Sequence, residues 1–431
     1  MTLPTEHPLR YRLFNESHAR PYAELSVPVQ VSYLALLTSE VTPQQECKHL
    51  KVLAERYAVA PPLDSTTHYD ADFGRFSIKW ERHTEFSSYS FFANKQCSKP
   101  FSCKVIDEVP DDWLAAISGE LLVAQHIEIL SASERKLDQP ALSALFQEDS
   151  LVGSFVGGTS AEAWTDFRLQ KDGFSQVLVL NNSLTAQTTS RLIQHLLELE
   201  AYRMLALLGL PLVEKYGKTI TDMGQKLTDL TRRMSNAQTL EEERSLLEDL
   251  TSLEADIEMI IAATSYRFSA SQAYKSIVED RLVRLRENRI EGRQMLSRYL
   301  ERRFQPAMNA CESLSTRLET LSSHVARATQ ILMARVNLAL ESQNRDVLNS
   351  MDRRAKVQLR LQETVEGLSI AAISYYVVGL VSYISKALKA LGLPIKHDLF
   401  VGASIPIVLI CVWVAVHSIK KRLLSKQASS E

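Results

Sequence analysis

A chain of 431 residues, 45% hydrophobic and 23% charged, has room for two or more domains. Its formal net charge of −2 supplies no global basic field, which argues against a nucleic-acid partner. The five cysteines, at 47, 97, 103, 311 and 411, are odd in number and lack C-x-x-C spacing, so reduced thiols are expected and a zinc site is not.

Residues 1–30 are punctuated by Pro4, Pro8, Pro21 and Pro28 and contain no apolar core of the signal-peptide kind. The run VQVSYLALLT at 29–38 predicts a buried strand, and 42–56 a helix stopped by Pro61 and Pro62. Residues 73–92 predict two strands around a turn at 85–88, or one long bent strand. A short helix is expected over 111–117 and a further strand over 121–130. Two more strands are expected in the glycine-bearing stretch that follows, with their turn at Lys171, Asp172 and Gly173. Strands mixed with short helices give an α/β (or α+β) cytoplasmic domain over 1–182.

Helical periodicity dominates from 183 to 366, with a break at Gly209, Leu210 and Pro211. Thr239 followed by Glu242 has the spacing of a capping box and opens a long helix, within which Leu250, Leu253, Ile257, Ile260 and Thr264 step by three and four. A bend is expected at Gln305 and Pro306. Beyond it Leu314, Leu318, Leu321, Val325, Ala328 and Leu332 repeat with the 3.5-residue period of a coiled coil, up to Arg335. No proline or glycine then intervenes before Gly367, so this stalk is expected to run into the next segment as a rod on the order of 120 Å. The seam is open to filling by the chain's own helices or by other subunits.

Residues 367–385 and 399–419 carry no charged side chain and are long enough to cross a bilayer, which predicts a two-helix transmembrane hairpin over 367–419. Lys386, Lys389, Gly392, Pro394, Lys396 and Asp398 suit a connector in water. Arg353, Arg354, Lys356 and Arg360 precede the pair, while Lys420, Lys421, Arg422 and Lys426 lie in the tail 420–431. Both termini are therefore expected on the cytoplasmic side. The second span is rich in Ile, Val and Leu, with a mild kink expected at Pro406. The first is more polar. Tyr375, Gly379 and Ser382 share a helical face, with Tyr376 and Tyr383 beside it, and form the candidate pore or helix-contact set. Hydroxyls at membrane depth need partners, which predicts a homo-oligomer.

The densest polar constellation is at 78–86. A strand there puts Lys79, Glu81, His83 and Glu85 on one face and Trp80, Arg82, Thr84 and Phe86 on the other. Two carboxylates flanking a histidine suit a divalent cation or an acid–base pair. The same pattern also suits a solvated strand face whose charges pair with each other. His18 and Arg20, in the stretch 15–21, complete the candidate ligand-binding set with Lys79, Glu81, Arg82, His83 and Glu85; Arg20 suits an anion. No glycine-rich phosphate loop, G-x-S-x-G, H-E-x-x-H or EF-hand pattern occurs, so no catalytic residue, metal ligand or cofactor is assigned.

N-E-S-H-A-R-P at 15–21, K-W-E-R-H-T-E-F-S-S-Y-S-F-F at 79–92 and G-L-S-I-A-A-I-S-Y-Y-V-V-G-L at 367–380 resemble an uncharacterised family of bacterial membrane-anchored proteins, a domain of unknown function. The likeness covers nearly the full chain and implies the inner membrane as its location, but no activity. The order of parts is also similar to the CorA magnesium-channel family, whose pentamers line a pore with the first span. That family's Gly-Met-Asn signature is absent: Ser382, Tyr383 and Ile384 stand at the comparable place. The expected function is a homo-oligomeric membrane anchor with a ligand- or partner-binding cytoplasmic domain. The alternatives are a divergent CorA-like channel or transporter and, third, a tethered enzyme using Glu81, His83 and Glu85.

Overall fold

A computed structural model describes residues 6–11, 25–64, 66–133, 139–390 and 397–427. Its contacts divide the chain into two units, Met1–Ala237 with Ser245–Thr329, and Gln238–Arg244 with Gln330–Glu431.

The first unit is a mixed α/β domain built on a nine-stranded sheet. Its strands are β1 (Val29–Leu37), β2 (His68–Asp72), β3 (Ser77–Arg82), β4 (Phe86–Ala93), β5 (Glu120–Ser131), β6 (Val152–Val156), β7 (Ala161–Thr165), β8 (Ser175–Asn181) and β9 (Asn288–Arg289). They lie in the order β2-β3-β4-β1-β5-β8-β7-β6-β9, and β5 with β8 is a parallel pair among antiparallel ones. The apolar run at 29–38 is β1, buried on both faces at the centre of the sheet. Helix α1 (Pro43–Arg56) follows it. Thr42 N donates to Gln45 Oε1 at 2.8 Å and Gln45 N to Thr42 Oγ1 at 3.4 Å, a reciprocal cap that fixes where the helix starts.

Several expectations are corrected. The β3–β4 reversal occupies 83–85 rather than 85–88, with His83 N donating to Phe86 O at 2.8 Å. The glycine-bearing stretch holds three strands, β6, β7 and β8, not two. Cys97 and Cys103 are joined, their Cα atoms 6.1 Å apart, whereas Cys47, Cys311 and Cys411 are free.

One sheet face is closed by α1 and the short helix α2 (Asp111–Ala115) over Leu34, Leu36, Leu50, Leu53, Ile78, Trp80, Tyr89, Phe91 and Trp113. Trp113 satisfies its indole N–H on His49 O at 2.9 Å, so the ring is buried without an orphan donor. Beyond β5 comes the helix α3 (Gln139–Leu145). The other face of the sheet receives α4 (Ala186–Leu207), which packs on β5.

Further helices complete this unit: α5 (Leu210–Asn236), α6 (Leu240–Arg284) from Ser245 onward, α7 (Leu296–Arg303) and the start of α8 (Gln305–Ala390). The stepped residues Leu250, Leu253, Ile257, Ile260 and Thr264 are all buried, as are Leu314, Leu318, Leu321, Val325 and Ala328 of the heptad seam. Helices of the same chain lie beside that seam. Ser322 Oγ donates to Glu258 Oε1 at 3.0 Å, and Arg317 Nη2 to Thr221 Oγ1 at 2.9 Å. Gly209 sits where these helices meet: a Cβ there would stand 2.7 Å from Ser271 Oγ and 3.1 Å from Cys311 Sγ.

In the second unit Glu242 N donates to Thr239 Oγ1 and Thr239 N to Glu242 Oε2, both at 3.2 Å, the expected capping box. The 86-residue helix α8 runs unbroken through Gly367 and Gly379, and α9 (His397–Gln427) continues past Pro406. Two helices are long and apolar enough to cross a membrane, the segments lying within Leu296–Leu388 and Asp398–Ser418. The first segment's polar set separates. Ser374 and Ser385 are buried and Gly379 and Ser382 half-buried, whereas Tyr375, Tyr376 and Tyr383 are 78%, 73% and 73% exposed.

Candidate functional site

The alternation of strand side chains builds the site. On β4, Phe86, Ser88, Ser90 and Phe92 face α4, while Tyr89, Phe91 and Ala93 enter the aromatic core on the opposite side. Cross-strand pairing sets Lys79 beside Ser90, Glu81 beside Ser88, and Tyr33 on the far side of Ser90. Serines in the middle of a buried sheet leave a hollow that larger side chains would fill. Helix α4 covers it with Ser190, Ile193, Gln194, Leu197, Glu198, Ala201 and Tyr202, and Arg281 of α6 closes one side. The resulting cavity measures about 300 Å³.

Charge within it is paired. Lys79 Nζ lies 3.3 Å from Glu81 Oε1, both side chains largely covered. Across the hollow Arg281 Nε bonds to Glu198, whose Oε1 also receives Gln194 Nε2 at 2.7 Å. Tyr33 is buried between the two walls. Burial raises its phenol well above the ordinary range; Tyr202, Glu81 and Glu198 add to the rise, and a hydrogen bond with Ser88 opposes it. The His83 ring stacks on Phe86 at 4.2 Å, and Tyr202 meets Phe86 edge-on at 5.9 Å and an 89° angle.

Of the sequence-derived residues, Lys79, Glu81 and His83 line this cavity together. Glu85 does not join them: β3 ends at Arg82, and the turn carries Glu85 towards α6. There Arg267 donates to it from Nη1 and Nη2 at 3.0 and 3.2 Å, and the Tyr274 hydroxyl at 2.9 Å. Phe86, expected on the opposite face, lines the cavity because the same turn resets the alternation. Arg82 points the other way, bonding Glu46 and donating to Val41 O at 2.6 Å, where it fastens α1 to the sheet. His18 and Arg20 lie outside the described residues. Among the described residues no group of three or more His, Cys, Asp and Glu is placed to hold a metal ion.

Tyr33, Ser88, Ser90, Glu198, Tyr202 and Arg281 were not singled out by the sequence. The alternating small hydroxyls in S-S-Y-S-F-F were the available signal. Glu198 and Arg281 had none, since 83 residues separate them.

The family model described as a protein of unknown function (DUF3422) matches residues 5–423. The chain belongs to that family. The DUF3422 match spans the sheet, the long helices and both apolar segments. No curated protein and no solved structure matches the chain.

Proposed function

We propose that this DUF3422 member is a homo-oligomeric anchor of the bacterial inner membrane whose cytoplasmic domain binds a small ligand and carries no catalytic chemistry. The observation that carries the reading is the cavity between the sheet and α4, where Lys79, Glu81 and His83 face Glu198 and Arg281. A concave, half-apolar site with a few convergent polar groups is what small-molecule recognition requires.

Membrane attachment is supported by the two apolar segments and the basic residues at their outer flanks. In this reading 367–385 and 399–419 form a hairpin with both termini inside. The exposed Tyr375, Tyr376 and Tyr383 face neighbouring copies, and the heptad seam extends as a coiled-coil stalk. A second reading, a divergent CorA-like channel, is favoured by the unbroken 86-residue helix leading into the first segment. The Ser382-Tyr383-Ile384 sequence argues against selectivity of the Gly-Met-Asn kind.

Native mass spectrometry of the full chain in detergent tests the first reading. It predicts an oligomer that retains a small molecule, lost when Ser90→Phe fills the hollow. A monomer with no retained mass contradicts it. Magnesium flux into vesicles bearing the protein would select the channel reading instead.

A further inference from the structure

The cavity's charges define the class of molecule it accepts. Its lining carries two cations, Lys79 and Arg281, and two anions, Glu81 and Glu198, one of each sign on the sheet side and one of each on the helix side. Asp280 is shared between Arg281 and Arg284, the latter at 2.6 Å. A ligand of net charge would leave one of these groups without a counter-charge in a covered site, which is strongly unfavourable. A wholly apolar ligand would strip water from both ion pairs and return no hydrogen bond. A molecule bearing both signs exchanges partners with the two pairs while the sum stays zero.

Each wall of the cavity thus offers both signs to such a molecule. Both carboxylates line the cavity with the buried Tyr33, where the Phe86 and Tyr202 rings meet at 89°. Glu81 and Glu198 supply the cation-accepting groups. Arg281 and Lys79 supply the anion-accepting groups, the former as a planar fork suited to a carboxylate. Leu25, Ile193 and Leu197 add apolar lining.

We propose that the cavity binds a small zwitterion, an ammonium and a carboxylate on a short apolar body, as in an α-amino acid. This rests on the reading of the cavity as a ligand site. Thermal unfolding of the full chain in detergent tests it, with four sets of probes at millimolar concentration. These are the L-amino acids with neutral side chains, their amides, their N-acetyl derivatives, and neutral polyols. The expected result is a rise in unfolding temperature with at least one free amino acid. Its amide and its N-acetyl derivative should bind at least tenfold more weakly, and Ser90→Phe should abolish the shift. Glu198→Gln should weaken binding about tenfold. If an amide, an N-acetyl derivative or a polyol binds as well as the free amino acid and Ser90→Phe removes that binding, the zwitterion is overturned and the ligand site stands. If no probe of any class binds, or if Ser90→Phe leaves binding intact, both fall.

Discussion

Arg267 grips Glu85 across 182 residues of sequence, donating from both terminal nitrogens at 3.0 and 3.2 Å. The contact fastens the β3–β4 turn, which carries His83 into the cavity, to the long helix α6. Tyr274 reinforces it through its hydroxyl at 2.9 Å and stacks on Tyr202, itself a wall of the cavity. Position of the turn and shape of the site therefore depend on the same carboxylate.

Removing one partner of a covered ion pair leaves the other uncompensated, at a cost of about 3 kcal/mol. Arg267→Ala is expected to lower the urea midpoint of the first unit accordingly, without a change of slope. An unchanged midpoint would show that water replaces the guanidinium freely.

The same carboxyl sets an acid limit on stability. Burial alone would raise its pKa, but hydrogen bonds from Tyr266, Arg267 and Tyr274 outweigh that and hold it below its ordinary 4.5. Its folded pKa is depressed, so its contribution is complete above 4.5 and is lost as the pH falls below that value. The stability difference between wild type and Glu85→Gln should hence be constant from pH 8 to 5 and shrink below 4.5. A difference that grew on acidification would reverse the assignment.

His126 gives a second pH signature in a higher window. Its Nδ1 lies 2.8 Å from Ser32 Oγ, and its ring stacks on Phe174 at 4.0 Å. Burial first, then the nearby Lys104 cation, push its pKa from 6.5 down to about 4, against a smaller opposing pull from Asp172. The 3.7 Å approach of His126 Nε2 to Asp172 is consequently a contact of a neutral imidazole, not an ion pair at neutral pH. The unfolded chain takes up this proton from pH 6.5 downward while the folded chain resists until about 4. Stability should fall through that window by roughly 3 kcal/mol and then level off. In His126→Gln this component should vanish.

Gly153 and Trp164 are directly paired across β6 and β7, and the indole lies where a Cβ on residue 153 would stand. Trp164 also belongs to the second core cluster with Leu130, Leu142, Phe146 and Leu178, so it has little room to yield. Gly153→Ala is expected to cost about 1–3 kcal/mol through overpacking. Adding Trp164→Leu should recover part of that loss, measured as the coupling in a double-mutant cycle.

What the sequence disclosed were features whose signal is local. The apolar run of β1, the helix expected over 42–56, the Thr239–Glu242 cap and the seam from Leu314 to Ala328 each lie within a few turns of chain. Strand β2, with the sequence HYDAD, offers only Tyr69 and the small Ala71 as alternating apolar residues, too short a signal to betray it. Strand β9 is two residues long and exists only because Ser154 and Phe155 of β6 lie beside it. Within the site, Lys79 and Glu81 followed from period-two alternation. Glu85 did not, because the alternation was carried past Arg82 into a turn that the sequence places only loosely. The helical half of the cavity comes from residues whose partners are set by tertiary packing.

The most direct measurement is whether the full chain, isolated with bacterial inner membranes, stays with the bilayer after washing at alkaline pH and is released only by detergent. Two apolar passes predict retention, with the first unit accessible to protease only from the cytoplasmic face. Quantitative release by the wash, as a protein that remains soluble without detergent, would contradict the membrane anchor.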